Sequence, residues 1–384
     1  MRVVVVGGAG AMGRIVVLDL ARSAGVERVT VADLDGDRAA SVAEEADRAG
    51  RSSAEVRGVA ANITDPSFAD ALRGHDVCIA STAYRLNPVI AEACLAAGCG
   101  YVDLGGLFHV ARQTLQYHER FAEAGLTGVT CMGGSPGITN MLTVLGARRL
   151  DTVRAIHVRL GSYDPSVEGS PLPIPYSLDT LLDEFSAPAM AYRNGGFVEI
   201  APLGEPEEVT FPAPVGRRVT GTTLHSEVAT LPRAFPGVED VTFKISFEPG
   251  FVEKFRLLSA IGLASTEPVE VEGVMVRPRD VLAALGRRLP QAEGTDDVEC
   301  LRVVLEGTKD GAPATAIAES LVEPSADLET GGGGLDTGVP PSVVAQMIAS
   351  GEVKGPGMFA PEEILDPDLF FGHLATRGIG YSIR

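Results

Sequence analysis

The feature that most constrains this chain is a glycine-rich segment that directly follows a run of valines near its start. The run Val3–Val6 is typical of a fully buried strand, and the segment beyond the glycines has helical spacing. Between them lies the pattern G-x-G-x-x-G, whose glycines allow a tight turn, close approach of the backbone to a pyrophosphate and close helix–strand packing. This arrangement predicts a dinucleotide site at a helix N-terminus, where anions are favoured. The predicted site comprises Gly8, Gly10, Ala11, Met12 and Gly13.

A carboxylate at the end of the next predicted strand indicates which dinucleotide binds. Arg28–Ala32 has strand character and is followed by Asp33, about 20 residues beyond Gly13, where a carboxylate can accept the ribose hydroxyls. Because a carboxylate there repels a 2′-phosphate, NAD is predicted in preference to NADP. Leu34 is assigned to the same site, and Arg38 is interpreted as a solvated helix charge, with a phosphate contact as the alternative.

Further short apolar runs alternate with amphipathic stretches through the first part of the chain, which is the pattern of βαβ units around a parallel sheet. The carboxyl ends of such strands form the ligand-binding edge of the sheet. The loop after the third predicted strand is expected to reach the adenine, and the loop after the fourth is expected to reach the second ribose. The candidates are Asn62 and Ile63 in the first loop, and Ser81 and Thr82 in the second. Each of these four residues could equally be an ordinary loop residue.

The pattern then changes, and a second domain is predicted. Segments such as Val153–Leu160 and Val298–Glu306 are β-branched with alternating polar positions, which is typical of an antiparallel or mixed sheet. The predicted fold class is therefore α/β: a Rossmann-type doubly wound parallel sheet plus a second α+β domain with a mixed or antiparallel sheet. Gly331–Gly334 is predicted to be a mobile loop, a lid or a hinge, and Pro341 and Pro361 are each predicted to open a helix. The predicted division is 1–140 for dinucleotide binding, 141–338 for substrate binding and oligomerisation, and 339–384 for a helical return that packs on the first domain.

Composition and charge exclude several classes of partner. The 51 acidic residues outnumber the 32 basic ones, and the formal charge of −19 repels phosphate backbones and anionic lipid surfaces. No apolar run is long enough for a membrane span, and the five cysteines lack metal-ligand spacing. We therefore expect no nucleic-acid partner, no membrane insertion, no bound metal, reduced and mostly buried thiols, and a cytoplasmic protein.

Several segments carry a family resemblance. The sequences Tyr101–Gly106 and Gly134–Asn140 together resemble the saccharopine dehydrogenase family, and flanking matches extend the resemblance over almost the whole chain. The chain is most similar to the lysine 6-dehydrogenase branch, which usually has a small residue before Pro-Gly, as Ser135 is here. Saccharopine and carboxynorspermidine enzymes more often carry Asp at that position. The flanking matches are Arg193–Gly195, Glu253–Leu258, Arg277–Val281, Gly311–Pro313 and Ser342–Ile348.

The resemblance implies an NAD-dependent oxidoreductase with its active site between two domains. In the lysine branch, hydride moves to the nicotinamide from a carbon bearing an amine, water hydrolyses the imine, and ammonia is released. The resemblance therefore implies oxidative deamination of lysine or a similar ω-amino acid, by a homo-oligomer that is a dimer or a tetramer. The alternatives are a saccharopine- or carboxynorspermidine-type enzyme that acts on a secondary amine, and a non-catalytic NAD-binding sensor or scaffold.

Three residues are candidates for catalytic groups. Asp103 ends the fifth predicted strand, where its carboxylate could hold a substrate ammonium or could simply cap a glycine turn. His109 matches a histidine of the lysine branch, and a histidine, with an ordinary pKa of about 6.5, can remove a proton at neutral pH. A structural role is the alternative for His109. Tyr84 follows the fourth strand, in the loop that reaches the nicotinamide in this family.

Substrate contacts are expected from Ser135 and from residues of the second domain. Lys254 is a candidate partner for a substrate carboxylate, with an exposed strand-end lysine as the alternative. Where family members tend to have a glycine-rich Thr/Ser turn, this chain has Thr222–Glu227, which contains a histidine and a carboxylate. Thr223 and His225 are therefore assigned to the substrate, and an amine other than lysine is an alternative.

Overall fold

The computed structural model describes residues 1–49, 54–165, 172, 174, 176–248, 250–286, 288–289, 296–353 and 355–384. Its strands are β1 (Arg2–Val6), β2 (Arg28–Asp33), β3 (Glu55–Ala60), β4 (Val77–Ala80), β5 (Gly100–Asp103), β6 (Thr127–Val129), β7 (Thr152–Tyr163), β8 (Ala189–Arg193), β9 (Gly196–Ile200), β10 (Gly204–Thr210), β11 (Arg217–Thr222), β12 (Asp240–Ser246), β13 (Val269–Val271), β14 (Val274–Val276), β15 (Val298–Lys309), β16 (Ala312–Val322), β17 (Gly357–Phe359) and β18 (Ser382–Ile383). Its helices are α1 (Ala11–Arg22), α2 (Gly36–Arg48), α3 (Phe68–Leu72), α4 (Asn87–Ala97), α5 (Leu107–Leu115), α6 (His118–Glu123), α7 (Ile138–Ala147), α8 (Leu178–Ser186), α9 (Glu227–Ala234), α10 (Phe251–Ala260), α11 (Pro278–Gly286), α12 (Gly332–Ser350), α13 (Pro361–Ile364) and α14 (Pro367–Ala375).

Within the described ranges, the first sheet has seven parallel strands in the order β17-β6-β5-β4-β1-β2-β3. Val3 and Val5 of β1 join one core cluster with residues of α1, α2 and α12, whereas Val4 and Val6 join another with residues of α3 and α4. Because both faces are covered by helices, β1 is a continuous apolar run rather than an alternating one. The predicted Rossmann-type doubly wound sheet is confirmed.

The second sheet is mixed and, in the described part of the chain, contains nine strands. Its main order is β10-β11-β12-β7-β15-β16-β18, and β8 pairs with both β12 and β9. β7 and β12 run parallel, whereas the other neighbours run antiparallel. The long β15–β16 hairpin turns at Asp310 and Gly311, whose φ angles of 51° and 76° suit the tight turns of hairpins. The predicted second α+β domain with a mixed sheet is confirmed.

The glycine run near the tail lies at the start of a long buried helix. α12 begins at Gly332 and continues through Pro340 and Pro341, so two predictions are wrong: the mobile loop at Gly331–Gly334 and the helix start at Pro341. Tight packing explains the glycines, because a Cβ atom at Gly332 would be 2.3 Å from the carbonyl oxygen of Val322. The run of glycines predicts a flexible segment, but in the structure the absence of side chains allows the start of α12 to lie close to neighbouring elements.

The same helix connects the two sheets. A Cβ atom at Gly338 would be 2.6 Å from the side chain of Ile15, so α12 lies directly against α1. Ser342 donates a hydrogen bond to the buried carboxylate of Asp19, which also accepts one from Arg377 after α14. The predicted boundary between 338 and 339 falls inside α12. Beyond this helix, α13 begins at a proline as predicted, β17 joins the first sheet and β18 joins the second.

Candidate active site

The glycine-rich segment forms a turn between β1 and α1 in which side chains have no room. Gly7 has a φ angle of +78°, and a Cβ atom at Gly13 would be 2.2 Å from the Gly7 carbonyl oxygen. The N-cap of α1 is Gly10, which offers no side-chain cap, so the first backbone N–H groups of the helix can face an anion. These features fit the pyrophosphate of a dinucleotide. The predicted residues Gly8, Gly10, Ala11, Met12 and Gly13 all lie in this turn or the first turn of α1.

A carboxylate and a guanidinium lie side by side next to this turn. Asp33 Oδ2 accepts a hydrogen bond of 3.1 Å from the Ala9 N–H, which fixes the carboxylate beside the glycines. The Arg38 guanidinium donates to the Ala9 carbonyl oxygen at 2.7 Å, and Asp33 and Arg38 line one open pocket. Leu34 lines the same pocket and is 74% exposed, which provides an apolar surface for a base. The pocket therefore has one group that favours ribose hydroxyls and one that favours phosphate.

The remaining predicted cofactor residues follow β3 and β4. Asn62 Oδ1 accepts a hydrogen bond of 3.0 Å from the Thr64 N–H, so its side chain is engaged in a local turn, and Ile63 packs against the core. Ser81 and Thr82 lie against the glycine turn after β1. The Thr82 Oγ1 is buried and has no hydrogen-bond partner among the described residues. The contacts of these four residues with a cofactor stay predictions.

Asp103 is completely buried at the end of β5, and both of its oxygens are occupied. Oδ1 accepts hydrogen bonds from the backbone N–H groups of Gly105 and Cys131, each at 2.8 Å. Oδ2 accepts from the hydroxyls of Tyr101 at 2.8 Å and Thr130 at 2.7 Å. Burial raises the pKa of Asp103, although these four donors act in the opposite direction. The geometry favours the turn-capping interpretation over contact with a substrate ammonium.

The other predicted catalytic residues, together with Lys254, occupy three different settings. His109 is exposed on α5, with its ring edge-on to Phe108. Tyr84 donates a hydrogen bond of 2.7 Å to Asp183 of α8, and burial together with this carboxylate raises the pKa of the Tyr84 hydroxyl. Lys254 is exposed, as the alternative interpretation predicts, but it lies on α10 and not at the end of a strand.

A buried polar cluster forms where the loop after β6 meets the loop after β11. Glu227 Oε1 accepts hydrogen bonds from the Ser135 hydroxyl and, at 2.8 Å, from the Thr139 hydroxyl. Glu227 Oε2 contacts Nδ1 of His225, whose ring stacks on Phe243 with 3.7 Å between ring centroids. The structure thus brings together Ser135 and His225, which are two of the predicted substrate residues.

The electrostatics of this cluster suit proton exchange. Burial by itself lowers the pKa of His225, but the carboxylates of Glu227 and Glu184 outweigh burial and raise it. Burial by itself raises the pKa of Glu227, but His225 and the Ser135 hydroxyl outweigh burial and lower it. Because Nδ1 of His225 is directed at Glu227, Nε2 is the nitrogen left to exchange a proton with a ligand.

Three further acids lie near this pair, two of them buried and Glu299 half-buried, and sequence reasoning missed them because no motif marks them. Glu184 of α8 accepts a hydrogen bond of 2.6 Å from Tyr176, and burial raises the pKa of Glu184 to about 7. Glu299 of β15 and Asp336 of α12 act on each other through their charges, and burial raises the pKa of both. Thr223 is also buried, and its Oγ1 has no partner in the described part of the chain.

These groups lie at the edge of the first sheet where ligands bind in doubly wound folds. The loop that carries Ser135 follows β6 at the same edge as the glycine turn after β1. A buried imidazole that can exchange a proton is therefore combined with an excess of carboxyl groups. This combination suits a substrate that is cationic and that gains or loses a proton during the reaction.

Comparisons with known proteins cover nearly the whole chain. The model of the saccharopine dehydrogenase NADP binding domain matches residues 3–129, and that of the saccharopine dehydrogenase C-terminal domain matches residues 133–379. A carboxyaminopropylagmatine dehydrogenase of Synechocystis is 25% identical over an alignment of 306 residues, which covers 76% of this chain and 75% of that protein. A carboxynorspermidine synthase of Vibrio alginolyticus is 25% identical over an alignment of 321 residues, which covers 78% of this chain and 75% of that protein.

Solved structures share the fold at lower identity. The saccharopine dehydrogenase of Saccharomyces cerevisiae superimposes with a TM-score of 0.75 at 18% identity, over 100% of this chain and 99% of that one. The homospermidine synthase of Legionella pneumophila, in complex with NAD, gives 0.67 at 14% identity, over 100% and 91% of the two chains. Among the residues that the structure describes, no helix is both long enough and apolar enough to span a bilayer.

Proposed function

Because the chain belongs to the saccharopine dehydrogenase family of NAD(P)-binding oxidoreductases, we propose that it transfers a hydride between NAD and the C–N bond of a small cationic amine. The observation that carries this proposal is the buried His225–Glu227 pair beside Ser135, at the ligand-binding edge of the Rossmann sheet. NAD rather than NADP is proposed because Asp33 is fixed beside the glycine turn, where a 2′-phosphate would meet its charge.

The side chains of the cluster supply proton transfer and orientation. When bound, NAD provides the hydride acceptor, whereas the protein must prepare the amine. An ammonium has no free electron pair on nitrogen, so it must lose a proton before its C–N bond is oxidised. Nε2 of His225 takes that proton in our proposal, because Glu227 fixes Nδ1 and Phe243 fixes the plane of the ring. The hydroxyls of Ser135 and Thr139 hold Glu227 in turn.

The surrounding acids support a cationic substrate. Glu184, which is buried, and Glu299, which is half-buried, both act on His225 through their charge. An ammonium that enters such a site loses its hydration but gains carboxylate partners, whereas a carboxylate at the same place would be repelled. The acids therefore favour amines over anionic substrates at this position.

A secondary amine of the polyamine type is our first candidate for the substrate. Two relatives at 25% identity are named for carboxyaminopropylagmatine and carboxynorspermidine, which supports this class. Oxidative deamination of lysine or a similar ω-amino acid is the second candidate. It is favoured by Ser135, since the lysine branch usually has a small residue before Pro-Gly.

The first experiment is a spectrophotometric assay in both directions. Purified protein is mixed with NAD or NADP and lysine, ornithine, diamines or saccharopine, and separately with reduced coenzyme, a diamine and an aldehyde or keto acid. Coenzyme oxidation that requires both organic co-substrates supports the first candidate, and coenzyme reduction by lysine with ammonia release supports the second. Coenzyme binding without turnover in either direction would contradict the proposal and favour a sensor or scaffold.

Two histidine variants then test the proton-transfer role. His225→Gln is expected to lower kcat by roughly 10² to 10⁴-fold, because the general base is lost. The matched variant His109→Gln is expected to stay within about threefold of wild type, because His109 is exposed on α5 and lies outside the cluster. The opposite pattern would assign proton transfer to His109, as the sequence predicts.

A further inference from the structure

A two-stranded hairpin of the second domain carries its apolar side chains in solvent. Its strands, β13 and β14, belong to the segment 266–277, which we call the arm. In the described part of the chain, no third strand joins these two. Residues 266–275 are all exposed. A hairpin of two three-residue strands is marginally stable by itself in water, because it needs further strands or a surface to pack on.

The base and the tip of the arm are both well defined. The buried Arg279 closes the base with two hydrogen bonds, from its backbone N–H to the carbonyl oxygen of Ser265 at 3.1 Å and from Nε to that of Ala264 at 2.9 Å. At the tip, Glu272 and Gly273 have φ angles of 51° and 83°, both positive as a type I′ hairpin turn requires. The arm is therefore a formed element whose apolar side chains are left uncovered.

Exposed apolar side chains are concentrated in this part of the molecule. Of the sixteen large apolar or aromatic side chains that are exposed in the described ranges, eight lie between residues 257 and 285, four on the arm and four on or beside α10 and α11. Side chains of this size bury about 60–120 Å² each, so eight that are roughly half exposed present about 250–500 Å². Apolar exposure on this scale in one region marks an interaction site. The eight residues are Leu257, Ile261, Val269, Val271, Val274, Met275, Val281 and Leu285.

The two outer edges of the arm present different groups to a partner. Because the turn has two residues, Val271 and Val274 form a hydrogen-bonded pair, and the backbone groups of the next pair, Glu270 and Met275, point away from the hairpin. The outer edge of β13 is therefore centred on a carboxylate, whereas that of β14 is centred on an apolar side chain. Unpaired edges of this kind are templates for another strand.

A second copy of this chain fits the β14 edge and not the β13 edge. An edge strand can pair antiparallel with its own copy about a two-fold axis, which gives a self-complementary contact. At β14 this places Met275 opposite the partner's Met275, and Val274 opposite the partner's Val276. At β13 it places Glu270 opposite the partner's Glu270, and like charges directly opposite each other are destabilising.

Charges at the ends of the β14 pairing are also complementary. The register that centres on Met275 brings Arg277 opposite the partner's Gly273, which has no side chain, and next to the partner's Glu272. Within its own chain Arg277 contacts Asp280 at 2.8 Å, in an exposed pair of the kind that contributes little. Since each copy carries a formal charge of −19, association needs such local complementarity.

We propose that the arm is a dimerisation element: β14 pairs antiparallel with β14 of a second copy about a two-fold axis at Met275, and the two arms form one four-stranded sheet. In this register the tip of each arm lies beside the base of the other, close to where α11 begins. A specific interface buries about 800 Å² per partner. The exposed apolar side chains supply the centre of such a contact, and charged side chains such as Arg277 and Glu272 form its rim.

Cysteine cross-linking of the full chain tests the register. The five native cysteines are all buried, so a thiol introduced on the arm is the accessible one. Met275→Cys is expected to give a covalent dimer on mild oxidation, because residues of a hydrogen-bonded pair have Cα atoms about 5.5 Å apart, within the span of a disulfide. Glu270→Cys is the matched control on the same arm, since its Cα atoms would lie about 14 Å apart across three strand spacings. Non-reducing electrophoresis gives both yields, and anything other than a clear excess of dimer from Met275→Cys would overturn the register.

Sedimentation velocity over a range of concentrations measures the association itself. Wild type is expected to dimerise, and Met275→Lys is expected to raise the Kd of the dimer by roughly 100-fold or more, because two ammonium groups would meet at the two-fold axis. The matched control is Val219→Lys on β11, whose side chain is also 63% exposed and which should leave the Kd within about threefold of wild type. Unchanged circular dichroism shows that both variants are folded.

Two results would contradict the proposal. A wild type that stays monomeric at every concentration would leave the arm without a second copy. A dimer that Met275→Lys leaves intact and Val219→Lys dissociates would place the contact on the large mixed sheet instead. Neither measurement uses a coenzyme or an amine, so its outcome is independent of the proposed reaction.

Discussion

At the scale of single residues, burial and partners separate side chains that look equivalent in the sequence. His109 and His225 are both histidines near helix starts, yet His225 alone of the two contacts a carboxylate and stacks on an aromatic ring. Asp103 and Glu227 are both buried carboxylates, but Asp103 accepts four hydrogen bonds from its own surroundings. In the His225–Glu227 pair, Nε2 of His225 is therefore left to exchange a proton, whereas Asp103 stabilises a turn.

The choice of coenzyme is a prediction about two neighbouring residues. NAD is expected to bind more tightly than NADP, because Asp33 would repel a 2′-phosphate. Asp33→Asn should reduce the preference by roughly tenfold, whereas Asp37→Asn, in the same pocket but without a bond to the glycine turn, should change it little. Dissociation constants measured by fluorescence of the reduced coenzymes provide the check. Tighter binding of NADPH by wild type, lost in Arg38→Ala, would show that Arg38 rather than Asp33 governs selection.

Tyr84 yields a second prediction at this scale. Its hydroxyl donates to Asp183, which also accepts hydrogen bonds from Arg85 and Arg279, and burial raises the pKa of Tyr84. Tyr84→Phe is therefore expected to lower the free energy of unfolding by about 1 kcal/mol while leaving Asp183 paired. The same variant should keep kcat within about fivefold of wild type. A loss of kcat of roughly 10² or more with unchanged stability would instead assign Tyr84 to proton transfer, as its place after β4 predicts.

At the scale of elements, the start of α12 shows how composition can mislead. Four successive glycines favour a mobile loop when only backbone freedom is considered. In the structure, Gly331–Gly334 pass so close to neighbouring elements that Cβ atoms do not fit. A Cβ atom at Gly332 would meet the carbonyl oxygen of Val322 at 2.3 Å and that of Asp297 at 3.0 Å. These contacts are with backbone atoms, which cannot move aside as a flexible side chain can.

Gly→Ala substitutions distinguish packing from flexibility. Gly332→Ala is expected to lower the free energy of unfolding by about 1–3 kcal/mol, because the methyl group overpacks the helix start. The control Gly372→Ala lies on the exposed face of α14 with no atom near its Cβ position, so it should be neutral or stabilising by up to about 1 kcal/mol. Urea unfolding of both variants gives the comparison. If the run were a mobile loop, Gly332→Ala would also be neutral or stabilising, since it would only restrict the unfolded chain.

Elements with local signals were predictable, whereas those defined by distant partners were not. The sequence predicts strands at Val77–Ala80 and Gly100–Asp103, because buried apolar runs between turn signals mark them, and β4 and β5 have these bounds. A further strand is predicted at Gly128–Met132, but β6 ends at Val129. Cys131 beyond it has a φ angle of 65°, which its residue type does not predict. β17 reaches the first sheet from more than 200 residues away in sequence, through the pairing of Gly357 with Thr127.

The same difference between local signals and distant partners applies to the residues of the candidate site. The glycine turn and Asp33 form a local motif, and the Ser135 segment carries a family pattern, so both could be found from the sequence. Glu184 and Glu299 lie in ordinary helix and strand sequences, and their meeting with His225 depends on how α8, β11 and β15 of the second domain come together. Long-range topology therefore decides the electrostatics around His225, and no short segment of the sequence contains that information.

At the scale of the whole molecule, the site and the core are parts of one cooperative structure. A single core cluster contains Val29 of the first sheet, Val303 of the second and Leu142 of α7. Because α12 carries Asp336 while packing on α1, this acid is held by the same helix that connects the sheets. Titration of this acid should therefore change global stability as well as binding.

The last prediction is that stability falls as pH rises from about 5 to about 8. Burial raises the pKa of Glu184, Glu299 and Glu362 from 4.5 to about 7, so the folded protein keeps protons that the unfolded chain has lost within this window. His225, whose pKa is also raised, contributes stability that is present below about 6.5 and is lost as pH rises through its folded value. Glu227 has a lowered pKa, so its contribution is present above 4.5 and is lost only as pH falls through its folded value.

Urea unfolding at several pH values and high salt measures this slope, because salt screens the repulsion from the net charge of −19 but affects buried groups little. Glu362→Gln removes one of the titrating groups without touching the proposed reaction site. This variant should match wild type near pH 5 and should be more stable than wild type near pH 8, by about 1 kcal/mol or more, since its amide need not ionise. Stability that rises with pH across the window, or a Glu362→Gln profile parallel to wild type, would mean that these carboxyl groups ionise normally in the folded protein. The group of acids near His225 would then be more strongly negative at neutral pH.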